Sequence, residues 1–328
     1  MKLDVIKTYY DNDIINDIIT KWNEPHRHYH NLSHLENLLS MIENTFTEKV
    51  DGLKYESYVL AAFFHDVVYD PKSTRNEEDS VKYFQSVSEH ILHKDLIETV
   101  SNLIMVTKSR EIPFDEFNKK FWLFDNDILI NSNLEQLIEY ENKIFKEFQF
   151  VSYDIYKAKR ISFLKNELYL NREIENLISY IKTRKIRVGV YSGSFNPFHK
   201  GHLNVFKKAE KIFDKVILSY GNNPEKESKT VYIPSYFNYY QVELFNGLVT
   251  DYISDLESIS QDVTLIRGLR NGADLDYESN QLSFMKDFKS DIKVIYIPCD
   301  KEFEHISSSS IRNLFKFNEE LAKKYIVI

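Results

Sequence analysis

The stretch 191-YSGSFNPFHKGHLNVF-206 constrains this chain more than any other, because two of only eight glycines in 328 residues stand in it, next to two histidines three apart. The run before it, with Ile186, Val188, Val190 and Tyr191, is short, β-branched and aromatic, and from Leu203 onward the apolar spacing is helical. The segment therefore reads as a strand, a loop and a helix start. An α/β sheet binds phosphate at such a place: glycine lets the backbone approach a ligand, and a helix N-terminus offers unpaired N–H groups and the positive end of a dipole. His199 and His202 share one helix face and can both meet whatever the loop holds. Two histidines alone are better read as surface or capping residues; the SGSFNP loop in front of them points instead to a phosphate site. The chain has no GxxxxGK[ST] loop.

The same stretch resembles the HxGH signature of the nucleotidyltransferase superfamily, whose imidazoles bind the triphosphate of a nucleotide while its α-phosphate is attacked. Further along, 211-KIFDKVILSYGNNPEK-226 reads as a second strand ending in a Gly/Asn/Pro loop, with Lys226 just beyond it. A third strand leads into 264-TLIRGLRNGADLDYE-278, where Arg267 and Arg270 flank a glycine and their guanidinium forks suit phosphate oxygens. Finally 294-VIYIPCDKEFEHISSSSIRNLF-315 gives a strand, a loop and a serine run opening a helix, with Arg312 one turn inside. Serines cap helices as a matter of course, and a capped N-terminus is also a second phosphate cradle.

Taken together, GSFNPFHKGH, NPEK, GLVTDYI, RGLRNGADLDYE and ISSSSIR follow the order and spacing of the phosphopantetheine adenylyltransferase family, which the chain resembles from about Arg187 to its C-terminus. That resemblance implies attack of the 4′-phosphate of phosphopantetheine on the α-phosphate of ATP, with Mg²⁺ accompanying the nucleotide, giving dephospho-coenzyme A and pyrophosphate. By matching position, Ser194 would orient the attacking phosphate, Lys226 would bridge it to the α-phosphate, and His202 would stabilise the transition state. Arg267 would join Ser194 and Lys226 in holding the acceptor. Gly193, Phe195, His199, Gly201, Arg270, Glu278, Ser307, Ser308, Ser309 and Arg312 would form the nucleotide site. The family usually has Thr where this chain has Ser194, and residues 227–243 lack its charged helix. HxGH and ISS[ST]xxR also occur in nicotinamide mononucleotide adenylyltransferases, which remain the competing reading of the acceptor.

Length and pattern predict two domains. Periodicity is helical up to Tyr180, the basic stretch 182-KTRK-185 follows, and strand signals begin, so residues 1–183 are expected to be all-α and residues 184–328 a Rossmann-like α/β domain with a parallel sheet. Residues 1–183 carry 22 Lys and Arg against 31 Asp and Glu, and residues 184–328 carry 20 against 19. Neither half is basic enough for a nucleic-acid groove. One cysteine, Cys299, leaves no internal disulfide and fits a reducing compartment. The acidic N-terminus lacks a signal-peptide core and no apolar run is long enough to span a bilayer, so a cytoplasmic protein with no membrane or nucleic-acid partner is expected, with a homo-oligomer left open.

In the helical half the informative stretches are 24-EPHRHYHNLSHLENLL-39, 60-LAAFFHDVVYDPKSTRNEEDSV-81 and 121-FWLFDNDILI-130. Buried histidines and aspartates are uncommon unless paired or metal-bound, and imidazole with carboxylate binds a divalent metal. These stretches resemble the HD superfamily of metal-dependent phosphohydrolases, in the branch with PHRxYHNxxH, FHDxxYD, NEExS and DxDL elements. The resemblance implies His34, His65, Asp66 and Asp127 as ligands, with Asp125 competing for the last place, holding Mn, Fe, Co, Zn or Mg. Arg27 and His30 would help to hold a substrate phosphate, although His26, His28 and His30 read equally well as a cluster of surface histidines, and Asn76, Glu77 and Glu78 would either lie behind the ligands or simply open a helix. The half would hydrolyse a small phosphate compound or, as a non-catalytic nucleotide sensor, regulate the transferase.

Overall fold

In the computed structural model, which describes residues 4–46, 52–109, 111–165, 171–222, 232–259 and 261–328, the chain up to Lys182 is helical. Its helices are α1 (Asp4–Tyr9), α2 (Asn12–Trp22), α3 (Leu32–Thr45), α4 (Leu53–Phe64), α5 (Asn76–Ser88), α6 (Lys94–Thr107), α7 (Glu116–Asp125), α8 (Asp127–Asn131), α9 (Leu134–Glu147), α10 (Tyr153–Leu164) and α11 (Arg172–Thr183). Local chemistry sets their ends. The Asp11 carboxylate accepts the amides of Asp13 and Ile14 at the start of α2, and Asn31 does the same for Ser33 at the start of α3. The inner faces follow the 3.6-residue period: Ile15, Ile18 and Trp22 from α2, and Leu35, Leu38, Leu39 and Ile42 from α3. Helix α4 is buried all round from Ser57 to Phe64, so it runs through the core, and the Trp22 indole donates to the Phe63 carbonyl at 2.9 Å. Its end delivers His65 and Asp66 to the interior.

The second half alternates strand and helix: β1 (Arg187–Gly193), α12 (Lys200–Ala209), β2 (Lys215–Asn222), β3 (Val242–Asn246), α13 (Val249–Ser258), β4 (Asp262–Leu269), α14 (Gly272–Phe288), β5 (Val294–Pro298), α15 (Ser308–Phe315) and α16 (Glu319–Lys323). All pairings in the five-stranded sheet are parallel, in the order β3-β2-β1-β4-β5. This is the Rossmann-like α/β arrangement expected. Central β1 is buried along almost its whole length, as a strand covered on both faces requires. The strand order reverses beside β1, between the ends of β1 and β4, which is where such sheets leave a ligand crevice. Strand β3 was not anticipated; it is a short edge strand with a half-exposed pattern, which gives little apolar signal. Among the described residues no helix is long and apolar enough to cross a membrane.

The chain forms two compact units, Met1–Glu147 with Ala158–Lys182, and Phe148–Lys157 with Thr183–Ile328. A single boundary after residue 183 is the sequence reading; the ten residues Phe148–Lys157 also group with the sheet. Lys215, at the head of β2, is 1 % exposed, and its Nζ donates to the carbonyls of Gln149 and Val151, the latter at 2.9 Å.

Candidate active sites

At the carboxyl edge of the sheet, β1 ends at Gly193 and the chain turns through Ser194–Phe198 into α12, with His199 as its N-cap. The Nδ1 of His199 accepts the amide of His202, and the Nδ1 of His202 accepts the amide of His199. The two rings stack with centroids 3.5 Å apart and planes 20° from parallel. With both Nδ1 atoms accepting, each neutral ring carries its proton on Nε2. Burial pushes His199 down to about 4, with the Arg270 charge adding to it; burial, the neighbouring His199 and Arg270 push His202 well below the usual imidazole range. Both are therefore uncharged N–H donors at neutral pH. Gly201 lies so close that a Cβ would sit 3.1 Å from the His199 ring.

These imidazoles line a cavity of about 300 Å³ together with Tyr191, Arg270, Glu278, Cys299 and the serines 307–309. Ser307 caps α15 by accepting the Ser310 amide, and Ser308 Oγ donates to the Pro197 carbonyl at 3.0 Å, tying the serine turn to the histidine loop. The arginines are already engaged. Arg270 pairs with Asp274 through Nε and Nη2 at 2.8 and 2.7 Å, and Arg267 pairs with Glu278 at 2.6 and 2.8 Å while its Nη1 reaches the Ser192 carbonyl. Arg312 donates to the Asn196 carbonyl and to Ser309 Oγ.

Of the other expected residues, Ser194 is exposed on the loop. Phe195 is buried with φ +39°, a left-handed conformation rare outside glycine, and its ring sits 5.0 Å from His202, with Tyr191, Phe198 and Tyr220 also around it. It backs the histidine rather than facing the cavity. Lys226 lies outside the described residues.

In the helical unit, α3 brings His34, the turn after α4 brings His65 and Asp66, and the last residue of α7 brings Asp125. The Nε2 atoms of His34 and His65 are 3.2 Å apart, and Asp125 Oδ1 is 3.3 Å from the first and 3.4 Å from the second. Asp66 Oδ2 is 3.3 Å from His65 Nε2. Ligands at about 2.1 Å from one tetrahedral ion stand about 3.4 Å from each other, near these four separations, and the ligand atoms of His34, His65 and Asp66 all lie within 4.8 Å of one another, so these three could hold a divalent metal. His65 also turns its Nδ1 to the Ala62 carbonyl at 2.9 Å, which fixes the ring with Nε2 toward His34 and the carboxylates. Burial opposes charge here, yet the Asp66 and Asp125 carboxylates hold the His65 imidazole well above its usual range, and the imidazoles hold both carboxylates well below theirs.

Asp127, the aspartate preferred for the fourth place, begins α8 and accepts from Asn131 Nδ2 at 2.7 Å; Asp125 takes the position beside the imidazoles. Arg27 is 5 % exposed, and four of its five N–H donors go to the Glu24 carboxylate and to the carbonyls of His30, Asp66 and Val67, so it clamps the loop. Asn76 exchanges hydrogen bonds with the Asp70 backbone, Glu78 pairs with Lys108, and Glu77 stands 3.8 Å from the same amine. Glu147 carries no sequence signal; it is recognisable only by the partners that folding brings to it.

Comparison with known proteins matches residues 190–314 to the family model described as cytidylyltransferase-like. Phosphopantetheine adenylyltransferase of Clostridium novyi is 32 % identical over 141 residues, 40 % of this chain and 85 % of that protein. Those of Streptococcus pneumoniae and Clostridium perfringens are each 32 % identical over 145 residues, 42 % of this chain and 88 % and 86 % of theirs.

Proposed function

Because the chain belongs, through its C-terminal unit, to the phosphopantetheine adenylyltransferase family, we propose that this unit transfers the adenylyl group of ATP to 4′-phosphopantetheine. An oxygen of the acceptor's phosphate bonds to the α-phosphorus, the bond from that phosphorus to the β-phosphate bridge breaks, and pyrophosphate leaves. No protein nucleophile is needed; positioning and stabilisation of the phosphoryl oxygens suffice. The observation carrying this reading is the pair of stacked, uncharged imidazoles in one cavity with Arg270 and the serine turn. Their Nε2–H groups donate to phosphoryl oxygens, His202 at the α-phosphate and His199 with Arg270 and the serines along the triphosphate. Ser194, Lys226 and Arg267 hold the acceptor. Mg²⁺ bound with ATP would offset the charge of its phosphates. The experiment is pyrophosphate release from ATP and Mg²⁺ with phosphopantetheine or nicotinamide mononucleotide as acceptor; release with the second alone would reject the acceptor named here.

For the N-terminal unit we infer a metal-dependent phosphohydrolase acting on a small phosphate compound. The grouping of His34, His65 and Asp66, with Asp125 Oδ1 against both imidazoles, supports it, because imidazole and carboxylate together suit Mn, Fe, Co, Zn or Mg. A bound ion would supply an activated water for attack on a phosphate ester. The acidic balance of residues 1–183 favours a small substrate over nucleic acid. The test is hydrolysis by the metal-loaded protein of nucleotides, pyrophosphate, phosphopantetheine, dephospho-coenzyme A, DNA and RNA. Metal without turnover of any of them would favour the sensor reading.

A further inference from the structure

Glu147 closes α9 with a carboxylate that is fully buried, and it spends that carboxylate on a single loop. Oε1 accepts three consecutive backbone amides, from His28 at 2.8 Å, Tyr29 at 2.6 Å and His30 at 2.9 Å. Oε2 receives the Tyr69 hydroxyl at 2.7 Å and faces His30 Nδ1 at 2.7 Å. A buried carboxylate costs several kcal/mol unless its lone pairs are met, and here five donors meet them. Three amides would suffice to shape the loop. The remaining contacts fix a side chain.

That side chain is His30. Its ring stacks on Tyr69 with centroids 4.4 Å apart, meets Tyr29 edge-on at 5.0 Å, and stands edge-on to His34 at 6.1 Å. With Nδ1 engaged by Glu147, the nitrogen left for a ligand is Nε2, and the side chain keeps 23 % exposure beside a carboxylate that has none. An imidazole whose far nitrogen is pinned by a carboxylate has a fixed orientation, the arrangement proteins use when the other nitrogen must meet a ligand. Arg27, the other group of this loop suited to phosphate, has four of its five N–H donors on Glu24, His30, Asp66 and Val67, which turns it toward the loop's own backbone.

We propose that Glu147 is a positioning residue of the N-terminal site, and that the His30 ring it holds contacts a phosphoryl oxygen of the substrate through Nε2. This rests on the reading of the unit as a metal-dependent phosphohydrolase. The probe is inorganic phosphate, titrated into the full-length protein loaded with Mn²⁺, with metal per chain measured on every sample. His30→Ala and Glu147→Gln should each keep the metal and weaken phosphate binding roughly ten- to a hundredfold, the span expected for a hydrogen bond to a charged group. Because Glu147 acts through His30, the double variant should bind phosphate no more weakly than His30→Ala alone; a merely structural glutamate would add its own loss. Tyr69→Phe, which removes one partner of Glu147 and spares the imidazole contact, should stay within a few-fold of wild type. Metal retained with phosphate affinity unchanged in His30→Ala would overturn the inference and leave the hydrolase reading standing. Wild-type protein that takes up no metal would overturn both.

Discussion

The Nδ1 atoms of His199 and His202 each accept the backbone amide of the other residue, both at 3.3 Å. A proton on either nitrogen has to break one of these bonds. His199 is held at about 4, by burial first and the Arg270 charge second, against an unfolded value of 6.5. Since the folded value is the lower one, the unfolded chain takes up its proton first as pH falls. The stability tied to this residue is complete above about pH 6.5 and is lost toward pH 4, to the extent of about 3 kcal/mol. Thermal unfolding from pH 7 to 4 should fall more steeply for wild type than for His199→Gln. Parallel curves would acquit the imidazole.

The transferase should depend on His202 in the transition state more than in substrate binding. His202→Ala is expected to lower kcat by about 10²–10³-fold with a smaller change in KM and an unchanged circular-dichroism spectrum. A loss confined to KM would make the residue a binding contact only.

Gly201→Ala sets two effects against each other. Alanine favours a helix by about 1 kcal/mol over glycine, whereas the new Cβ would lie 3.1 Å from the His199 ring and displace it by a few tenths of an ångström. Stability should therefore change little while adenylyl transfer falls. A variant with full activity would show that the imidazole position is not critical.

In the helical unit, Asp125→Asn should lower bound metal, as should His65→Ala, while Asp127→Asn should leave it unchanged. Elemental analysis of the purified variants decides between the two aspartates; metal loss with Asp127→Asn alone would move the ligand set to α8.

Lys215→Met keeps length and removes the amine from the carbonyls of Gln149 and Val151. A loss of about 1–3 kcal/mol at pH 7 is expected, seen in denaturant unfolding. Burial lowers the amine to about 7 from its ordinary 10.5, with Glu243 opposing. Between these values the unfolded chain holds the proton that the folded chain has released, so wild type gains stability as pH rises and the gap to the variant should widen toward pH 10. A gap independent of pH would mean that the folded amine keeps its proton.

The loop after β1, the helix capped by His199 and the serine turn were legible because glycine and histidine are scarce enough for their spacing to carry chemistry and because four serines stand in a row at 307–310. Other parts were not. Phe195 reads as one more aromatic beside a nucleotide loop, and only the fold shows its ring behind His202. Asp125 and Asp127 stand two apart, and no pattern says that α7 stops at Asp125 with Asn126 turning the chain before α8. Glu147 is one glutamate among several on α9, and its partners are 78 to 119 residues away. Arg27 reads as a phosphate ligand for the same reason: the Asp66 and Val67 carbonyls that engage it are brought by the distant turn after α4.

The ten residues Phe148–Lys157 give the two units a shared ancestry problem. The chain enters the sheet-bearing unit, leaves it along α10, and enters it again after Lys182. A gene rearrangement with one breakpoint near residue 183 would carry the sheet away from the segment that caps Lys215, leaving a buried amine with nothing to donate to. Swapping in a different helical partner therefore takes more than a clean exchange at the junction: the newcomer must bring its own carbonyls to that lysine, or the lysine must change with it. Descent should have kept the amine and the segment together, and their joint replacement in any lineage that recombined there is the trace to look for.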